Sequence, residues 1–563
     1  MQGLERLGII RELSRKNPKW IHEQLFRILH KEDIWIAAYE NIKGNRGALT
    51  AGIDKETLDG FSTSKLKKVQ TEVLTERYQF KPVKQTWIPR PDGRKRPLGI
   101  PTPNDKLVQE VIRMILEAIY DSNFDDRSFG FRSGKGVHDA LEYVEKQIRW
   151  VDWVIKGDIE QAYPTIDHNK LCEVLKLRIK DERFMNLIRK SLKCGIYDNP
   201  NTIYSKIGVP QGSIVSPILA NIYFNELDKW VEKKSQEVYQ EGSTKRHPRY
   251  RQLEYQIKKV SKLVHNTEQN SKERDQLVKE IKRLIQERNQ TPSLLDRGIE
   301  IRYVRYADDW IIGIKGSKEL AKQVKEEVGS FLQEHLKQRL DPRKTKIINI
   351  RAGKFIFLGY DIYLPRNMRM VKYKKGHGQQ TTRRQAPMLR MQLPVDKVTK
   401  RLSERGYVGY INNKLRPISK GSYTPLEDAV IVNHFRSVWL GLSNFYSGST
   451  NREHLQYIHY LLHSSCAMTL AHRHRSSSSK IFQKHGKRLE ILDKKSEPNK
   501  VLASFPYHTS WKVSDRKWQK ARSFKDPFTI YANRVSKTRL YKPCCICKST
   551  EKIEMHHVKH VRK

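Results

Sequence analysis

Three aspartates lie where apolar, strand-like runs are predicted to end. Asp158 closes one run, and the adjacent Asp308 and Asp309 separate two others, at 301–306 and 310–314, in a predicted hairpin with the acids at its tip. Adjacent carboxylates repel and favour a bound cation, and Mg²⁺ prefers hard oxygen ligands of this kind. Two such ions suit nucleotidyl transfer, because one activates the attacking hydroxyl and the other steadies the leaving pyrophosphate. A lone aspartate is more often a turn or a helix cap, so the adjacent pair is the stronger signal.

A second group of residues with chemical potential lies near the C-terminus. Three of the six cysteines fall within 544–547, and His556 and His557 follow. This crowding favours metal binding over disulfide formation. Cys544 and Cys547 alone cannot close a tetrahedral zinc site, and Cys545 has no assigned role. The other three cysteines are predicted to be core thiols: Cys172, Cys194 and Cys466.

Charge limits the classes of partner. The chain has 563 residues, 108 Lys and Arg, 62 Asp and Glu, and a formal net charge of +46. This excess favours nucleic acid first and an acidic membrane surface second. Hydrophobic residues make up 37%, enough for several cores, so about four domains are expected and global disorder is not. No apolar run approaches the ~20 residues of a membrane span, and the N-terminus lacks a signal core, so we expect neither membrane insertion nor secretion.

Periodicity predicts the elements that position the acids. The first 60 residues are predicted to be helical from the recurrence of Trp20, Ile21, Leu25, Ile28 and Leu29. Two strands joined by an Asp92–Gly93 turn are predicted at 86–101, followed by a helix through 107–118 and a strand at 153–159.

The segment 228–300 interrupts this pattern with dense charge. Leu253, Ile257, Val260 and Val264 recur at helical spacing, and Leu277, Ile281 and Leu284 repeat the pattern after a polar break. We interpret the segment as an inserted antiparallel helical hairpin that leaves and returns at nearby points. A solvated spacer is the alternative.

The later part of the chain is more basic. Residues 343–390 are predicted to be irregular, 430–470 helical, and 473–479 a linker. Residues 511–542 hold ten Lys or Arg against two Asp and are interleaved with Trp511, Trp518, Phe524, Phe528 and Tyr531. Such a mixture suits phosphate contact with base stacking, and a solvated basic tail is the alternative.

Several of these residues form motifs that resemble a known family. Tyr306-Ala-Asp-Asp309 resembles the catalytic motif of reverse transcriptases, 156–163 resembles the first metal-binding strand of that family, and 209–217 its template–primer and nucleotide loop. The order is the same. Further matches at 94–101, 129–132 and 357–360 make the chain similar to group II intron-encoded proteins, which are reverse transcriptases and maturases.

The resemblance implies an α+β multidomain fold, a right-hand polymerase with fingers, a palm with an antiparallel sheet, and a helical thumb called domain X. The Mg²⁺ ligands would be Asp158, Asp308, Asp309 and the backbone carbonyl of Ile159. The implied domains are an N-terminal helical, RNA-binding extension at 1–80, fingers and palm at 81–365, the thumb at 366–485, a DNA-binding region at 486–541 and a partial endonuclease domain at 542–563.

The resemblance also implies a nucleotide site. Tyr163 would lie under the sugar and favour dNTPs, although packing is its other possible role. Gln211 and Gly212 would approach the incoming nucleotide. Arg96 would neutralise triphosphate charge, in competition with its neighbours in the fingers hairpin, and Arg132 has a weaker claim.

In the thumb, a helical face is predicted to be core, with RNA gripped from the opposite, basic face. This face consists of Phe435, Val438, Trp439 and Leu442. The tail resembles the first half of an HNH endonuclease. Cys544 and Cys547 would be structural Zn²⁺ ligands, His556 a ligand of the active divalent ion and His557 the general base. The distal half of that motif is missing, so we expect truncation and no HNH cleavage by this chain.

The leading hypothesis is therefore an RNA-directed DNA polymerase that binds its intron RNA, assists splicing and copies the RNA at a DNA target. Its partners would be intron RNA, target DNA and dNTPs, inside a bacterium or a mitochondrion, in an oligomeric state that the sequence does not define. Alternatives are a non-enzymatic splicing factor, a stand-alone HNH nuclease, or a retron or retrotransposon reverse transcriptase. The three acids disfavour the splicing factor, because buried carboxylates are costly without a cation.

Overall fold

The computed structural model describes most of the chain. The residues outside the description are 1, 90–92, 94, 199–200, 244, 269–271, 292, 294–297, 366–369, 375–379, 385–387, 494–499, 508–510, 513–514, 520–526, 551–552 and 557–563. The predicted Asp92 turn, Phe524 and His557 therefore lie outside the described residues. None of the described helices is long and apolar enough to cross a membrane.

The described helices and strands alternate along the chain. The helices are α1 (Gly3–Lys16), α2 (Glu32–Ile42), α3 (Thr63–Leu74), α4 (Pro103–Tyr120), α5 (Val137–Gln147), α6 (His168–Lys176), α7 (Glu182–Leu192), α8 (Ser216–Val238), α9 (Pro248–Asn266), α10 (Lys272–Gln290), α11 (Lys318–Leu336), α12 (Val395–Glu404), α13 (Asp428–Phe445), α14 (Glu453–Arg473), α15 (Ser478–His485) and α16 (Pro527–Ser536). The strands are β1 (Val83–Pro89), β2 (Lys95–Ile100), β3 (Ser128–Phe129), β4 (Trp153–Gly157), β5 (Ile196–Asp198), β6 (Asn201–Ile203), β7 (Glu300–Tyr306), β8 (Asp309–Lys315), β9 (Lys346–Asn349), β10 (Phe355–Phe357), β11 (Tyr360–Tyr363), β12 (Met370–Lys374), β13 (Gln380–Arg384), β14 (Arg390–Gln392), β15 (Val408–Ile411), β16 (Lys414–Pro417), β17 (Ile491–Asp493) and β18 (Lys500–Ala503).

A five-stranded sheet in the order β3-β7-β8-β4-β9 carries the three aspartates at one edge. β7 and β8 form the predicted hairpin, and β4 runs antiparallel to both β8 and β9. Only the short β3 pairs in parallel, with β7. A second sheet, in the order β2-β1-β5-β6, contains the hairpin predicted at 86–101.

Two large apolar cores hold these sheets. One joins α1, α2, α4, α8 and α11 and extends to Phe528 and Tyr531 of α16. The other joins α5, β10, β11, α13 and α14 and extends to Phe505. Phe435 and Trp439 are buried in the second core, as predicted, with Val438 and Leu442 partly buried against it. The exposed side of α13 carries Asn433, His434, Arg436 and Ser437, so it is polar rather than strongly basic.

The N-terminal helical prediction was wrong in part. α1 ends at Lys16, and the chain is extended at Asn17, because the residue before a proline disfavours the helical conformation. Trp20 and Ile21 are exposed and belong to no helix, whereas Ile28 and Leu29 lie in a buried 3₁₀ turn.

Two later predictions were also wrong in detail. Residues 343–390 contain the strands β9 to β13 rather than irregular structure. In β10 the burial alternates, with Phe355 and Phe357 inside and Ile356 outside, a strand pattern too short to stand out among basic residues. The linker predicted at 473–479 shrinks to 474–477, because Ser477 caps α15 at once.

Candidate active site

The sheet brings the three aspartates to neighbouring positions. Asp158 follows β4 directly, Asp308 lies in the turn between β7 and β8, and Asp309 begins β8. β4 pairs with β8 so that Gly157 faces Trp310, which sets Asp158 beside the hairpin tip. A Cβ at Gly157 would come within 1.9 Å of the Trp310 ring, so only glycine allows this approach.

A buried ionic network supports the hairpin tip from below. Arg305 is fully buried and donates two hydrogen bonds to Asp228 on α8, at 2.7 and 2.6 Å. Tyr303 donates to the same carboxylate at 2.7 Å. Arg305 also donates to the carbonyl of Ala307 at 2.9 Å, and Ala307 has a positive φ of 55°. This bond holds the backbone next to Asp308 in a conformation that a non-glycine residue rarely adopts.

Burial and mutual repulsion perturb the carboxylates. Burial raises the pKa of Asp309 to about 6; Lys156 opposes this shift, and Asp308 and Asp158 add to it. Burial also raises the pKa of Asp308, with a further contribution from Asp158. A group of ionised acids that interact in this way is stabilised by a cation.

The nearest cation in the structure is a side chain. Lys344 donates to Asp158 at 2.6 Å and lies 3.5 Å from Asp341. The hydrogen bond to Asp158 raises the pKa of Lys344. Within the described part of the chain, no three Cys, His, Asp or Glu side chains are grouped closely enough to hold a metal ion. The three aspartates thus share one edge of the sheet without forming a preassembled ligand shell.

The donor chemistry nevertheless fits Mg²⁺, because the aspartates offer only oxygen atoms. The predicted backbone ligand, Ile159, lies in a bridge opposite Leu340. That bridge uses a bond from Glu160 to the Arg339 carbonyl and a bond from Asp341 to the Asp158 carbonyl, both 2.9 Å long. Neither bond involves the carbonyl of Ile159.

The loop at 209–217 docks on β2 across from the aspartates. Arg96 donates to the side-chain oxygen of Gln211 at 2.8 Å, and the backbone N–H of Gly99 donates to the Gln211 carbonyl at 2.6 Å. Gly212 has a φ of +111°, and a Cβ there would lie 2.4 Å from the Gly99 carbonyl oxygen. The structure therefore unites Arg96, Gln211 and Gly212, as their proposed roles require.

Tyr163 joins that loop to the acids. It is buried, its carbonyl accepts a hydrogen bond from Val209 at 2.9 Å, and burial followed by the charge of Asp308 raises its pKa. Both the packing role and the sugar-contacting role are compatible with this position.

The structure does not support a nucleotide contact for Arg132. Its guanidinium pairs with Asp121 at 2.8 Å and donates to the carbonyls of Asp121, Asp125 and Ser128. The side chain is almost fully enclosed and lies over the Phe124 ring. These bonds occupy the guanidinium in holding a loop, so Arg132 is a structural residue.

The tail places its predicted ligands in two settings. Cys544 lies in a turn closed by hydrogen bonds with Ser549 and Lys548, and Cys547 is exposed. His556 instead lies 3.2 Å from Asp59 and 3.4 Å from Glu554, where 555 pairs with 61. The described tail residues thus contribute to no group of three metal-ligating side chains.

The stacking role predicted for the basic C-terminal region was wrong for its described aromatic residues. Phe528 and Tyr531 are buried in the first core, and Trp511 and Trp518 pack against the second. Sequence reasoning also missed Arg305, Asp228 and Lys344. A charged residue inside an apolar strand was the available signal for Arg305, because such residues are rarely buried unpaired.

Comparisons with known proteins follow this geometry. Residues 88–268 match the family described as reverse transcriptase (RNA-dependent DNA polymerase), and 387–536 match the family described as type II intron maturase. The group II intron-encoded protein LtrA of Lactococcus lactis is 32% identical over 100% of this chain and 94% of its own length.

The chain belongs to the group II intron-encoded proteins. An uncharacterized 91 kDa protein in the cob intron of Schizosaccharomyces pombe is 33% identical over 99% of this chain and 68% of its own length. A putative COX1/OXI3 intron 1 protein of Saccharomyces cerevisiae is 32% identical over 98% and 66%. This group II intron-encoded protein is an RNA-directed DNA polymerase with a splicing maturase function, which confirms the predicted family and enzyme class.

Proposed function

We propose that this protein binds the RNA of the intron that encodes it, assists its splicing, and copies it into DNA from a primer at a DNA target, using dNTPs. The observation that supports this proposal is the placement of Asp158, Asp308 and Asp309 at one sheet edge, opposite the Arg96–Gln211 contact. The compartment would be that of the relatives, a bacterial cell or a mitochondrion.

Asp158, Asp308 and Asp309, with the carbonyl of Ile159, would hold Mg²⁺ here. When bound, the ions activate the primer hydroxyl and stabilise the departing pyrophosphate. The protein's own part is to keep the acids ionised and oriented. Lys344 favours the charged form of Asp158 in the free protein, and the Arg305–Asp228 pair fixes the hairpin tip.

The nucleotide would lie between the acids and the loop at 209–217. Arg96, held by Gln211, would neutralise triphosphate charge, and buried Tyr163 would exclude a 2′ hydroxyl. We assign no cleavage function to the tail, because the residues described there supply neither the general base nor a group of three metal-ligating side chains.

The test compares two aspartate variants of the full chain. Asp308→Asn keeps the shape of the side chain but removes its charge. We expect it to lower Mg²⁺-dependent DNA synthesis on poly(rA)–oligo(dT) by roughly 10²–10³-fold or more, because charge stabilisation worth several kcal/mol is lost. Binding to an in vitro transcript of the intron should change by less than about threefold, since dispersed Lys and Arg dominate affinity.

Asp396→Asn, at an exposed position on α12, is the matched control and should leave both activities intact. A native chain that binds intron RNA but makes no DNA would support the non-enzymatic splicing factor instead. Equal loss of RNA affinity in folded Asp308→Asn would contradict the separation between catalysis and binding.

A further inference from the structure

The helices α9 and α10 form an arm with a core of its own. Leu253, Val260 and Leu284 are buried between them, with Ile257, Leu277 and Ile281 packed alongside, apart from the two large cores. The arm leaves and returns at one point, because Gln240 and Ile299 exchange two backbone hydrogen bonds of 3.0 Å. This confirms the predicted helical hairpin and gives a rigid projection from the catalytic region.

The outer face of α9 carries charge of one sign. Arg251, Tyr255, Lys258 and Lys262 follow at spacings of four, three and four residues, so they share one side of the helix. The buried Leu253 lies two residues after Arg251, nearly opposite on the helix. Lys259 is exposed beside this stripe.

The remaining charges of α9 leave this face wholly cationic. Glu254 is the one acid of α9, and Arg246 pairs with it. Tyr255 is 70% exposed within the stripe. An exposed tyrosine between lysines offers a stacking surface where phosphates would lie.

The other helix of the arm is a natural comparison. The exposed charges of α10 include Glu273, Asp275 and Glu280 among its lysines and arginines. Such alternation suits a solvated surface, because the acids cancel the field of the bases. The polarity of the arm therefore lies on α9 alone.

We infer that the outer face of α9 binds the phosphate backbone of the intron RNA, with Tyr255 stacked on an RNA base or sugar. This inference rests on the proposed function, that the chain binds its intron. The stripe from Arg251 to Lys262 spans roughly 16 Å, enough for several consecutive phosphates. A lipid surface fits less well, because the apolar face of α9 is already covered by α10.

The experiment neutralises three charges on each helix in the full chain. One variant combines Lys258→Gln, Lys259→Gln and Lys262→Gln, and the matched control combines Lys279→Gln, Lys282→Gln and Arg283→Gln at exposed positions of α10. Equilibrium binding to the intron transcript is measured from 50 to 200 mM KCl, alongside DNA synthesis on poly(rA)–oligo(dT).

The α9 variant should bind the intron about 10- to 100-fold more weakly at 100 mM KCl and show a salt slope smaller by about two to three. The α10 variant should change by less than about threefold. Tyr255→Ala should weaken binding roughly fivefold or more without changing the salt slope. DNA synthesis on the homopolymer should be unchanged in all three.

Three outcomes would overturn this assignment while leaving the proposed function standing. They are equal effects of the α9 and α10 variants, no effect of either on a wild-type chain that binds the intron, or a loss of duplex DNA affinity alone. Failure of the wild-type chain to bind the intron would instead contradict the proposed function itself.

Discussion

Two regions of this protein mix basic and aromatic residues, and the fold uses them in opposite ways. The outer face of α9 exposes Tyr255 beside its lysines, whereas the C-terminal region turns Trp518 and Tyr531 toward the rest of the protein. Both patterns predict base stacking with phosphate contact. The difference shows that an aromatic residue becomes a packing anchor wherever an apolar partner lies within reach, whatever charges surround it.

The segment 515–519 illustrates such an anchor. Arg516 donates to both carboxylate oxygens of Glu145 on α5, at 2.6 and 2.8 Å, and the indole N–H of Trp518 donates to the same group at 2.8 Å. The Trp518 ring lies 5.8 Å from that of Tyr360 and 5.5 Å from that of His138. Both the ring and its N–H are thus engaged within the protein.

The helix α16 anchors the same region to the opposite end of the protein. Tyr531 donates to Glu117 on α4 at 2.6 Å and accepts from Arg113 at 2.9 Å. The basic residues between the anchors remain exposed: Lys512, Lys517, Lys537, Arg539 and Lys542. Phosphate contact by this region stays a prediction, while stacking by its described aromatic residues is excluded by their burial.

The largest expected difference between the two regions concerns stability. Trp518→Ala should lower the free energy of unfolding by about 2–4 kcal/mol, because a packed indole and its hydrogen bond are lost. Tyr255→Ala, the matched change on the arm, should alter it by less than about 0.5 kcal/mol. Urea unfolding followed by circular dichroism measures both, and similar losses for the two variants would remove the contrast.

A smaller effect is expected at the ion pair beside Trp518. Glu145→Gln and Arg516→Gln should each cost about 1–3 kcal/mol of stability, since each leaves a mostly buried partner with weaker bonds. The double variant should cost less than the sum, with a coupling of at least about 0.5 kcal/mol. Strict additivity in the same unfolding experiment would show that the two side chains do not interact in solution.

The catalytic edge was predictable because its signals are local. Asp308 and Asp309 lie in a hairpin whose flanking residues alternate in the ordinary strand manner, and the arm follows helical spacing. Arg305 and Asp228 were missed because their 77-residue separation hides a pairing that only the fold creates. Arg132 was misassigned because a motif match reveals the residue type and not the hydrogen bonds that occupy it.

The C-terminal aromatic residues failed for a related reason. A stacking platform and a packing anchor have the same composition, and only the neighbour that each ring meets distinguishes them. Trp518 meets Tyr360, 158 residues earlier in the chain, and Tyr531 meets Glu117, 414 residues earlier. No local pattern reports contacts at such separations.

The smallest effect separates packing from stacking most sharply. Tyr531→Phe keeps the aromatic face but removes the hydroxyl that Glu117 and Arg113 share. We expect a loss of about 1 kcal/mol in unfolding free energy, because two buried polar groups lose a partner. Duplex DNA affinity should stay within about twofold of wild type. Tyr541→Phe, which removes a hydroxyl bonded to Glu32 at a more exposed site, is the control and should cost less. A stacking role would give the reverse result for Tyr531, with stability unchanged by Tyr531→Phe and DNA affinity lost in Tyr531→Leu, since only the ring would then matter.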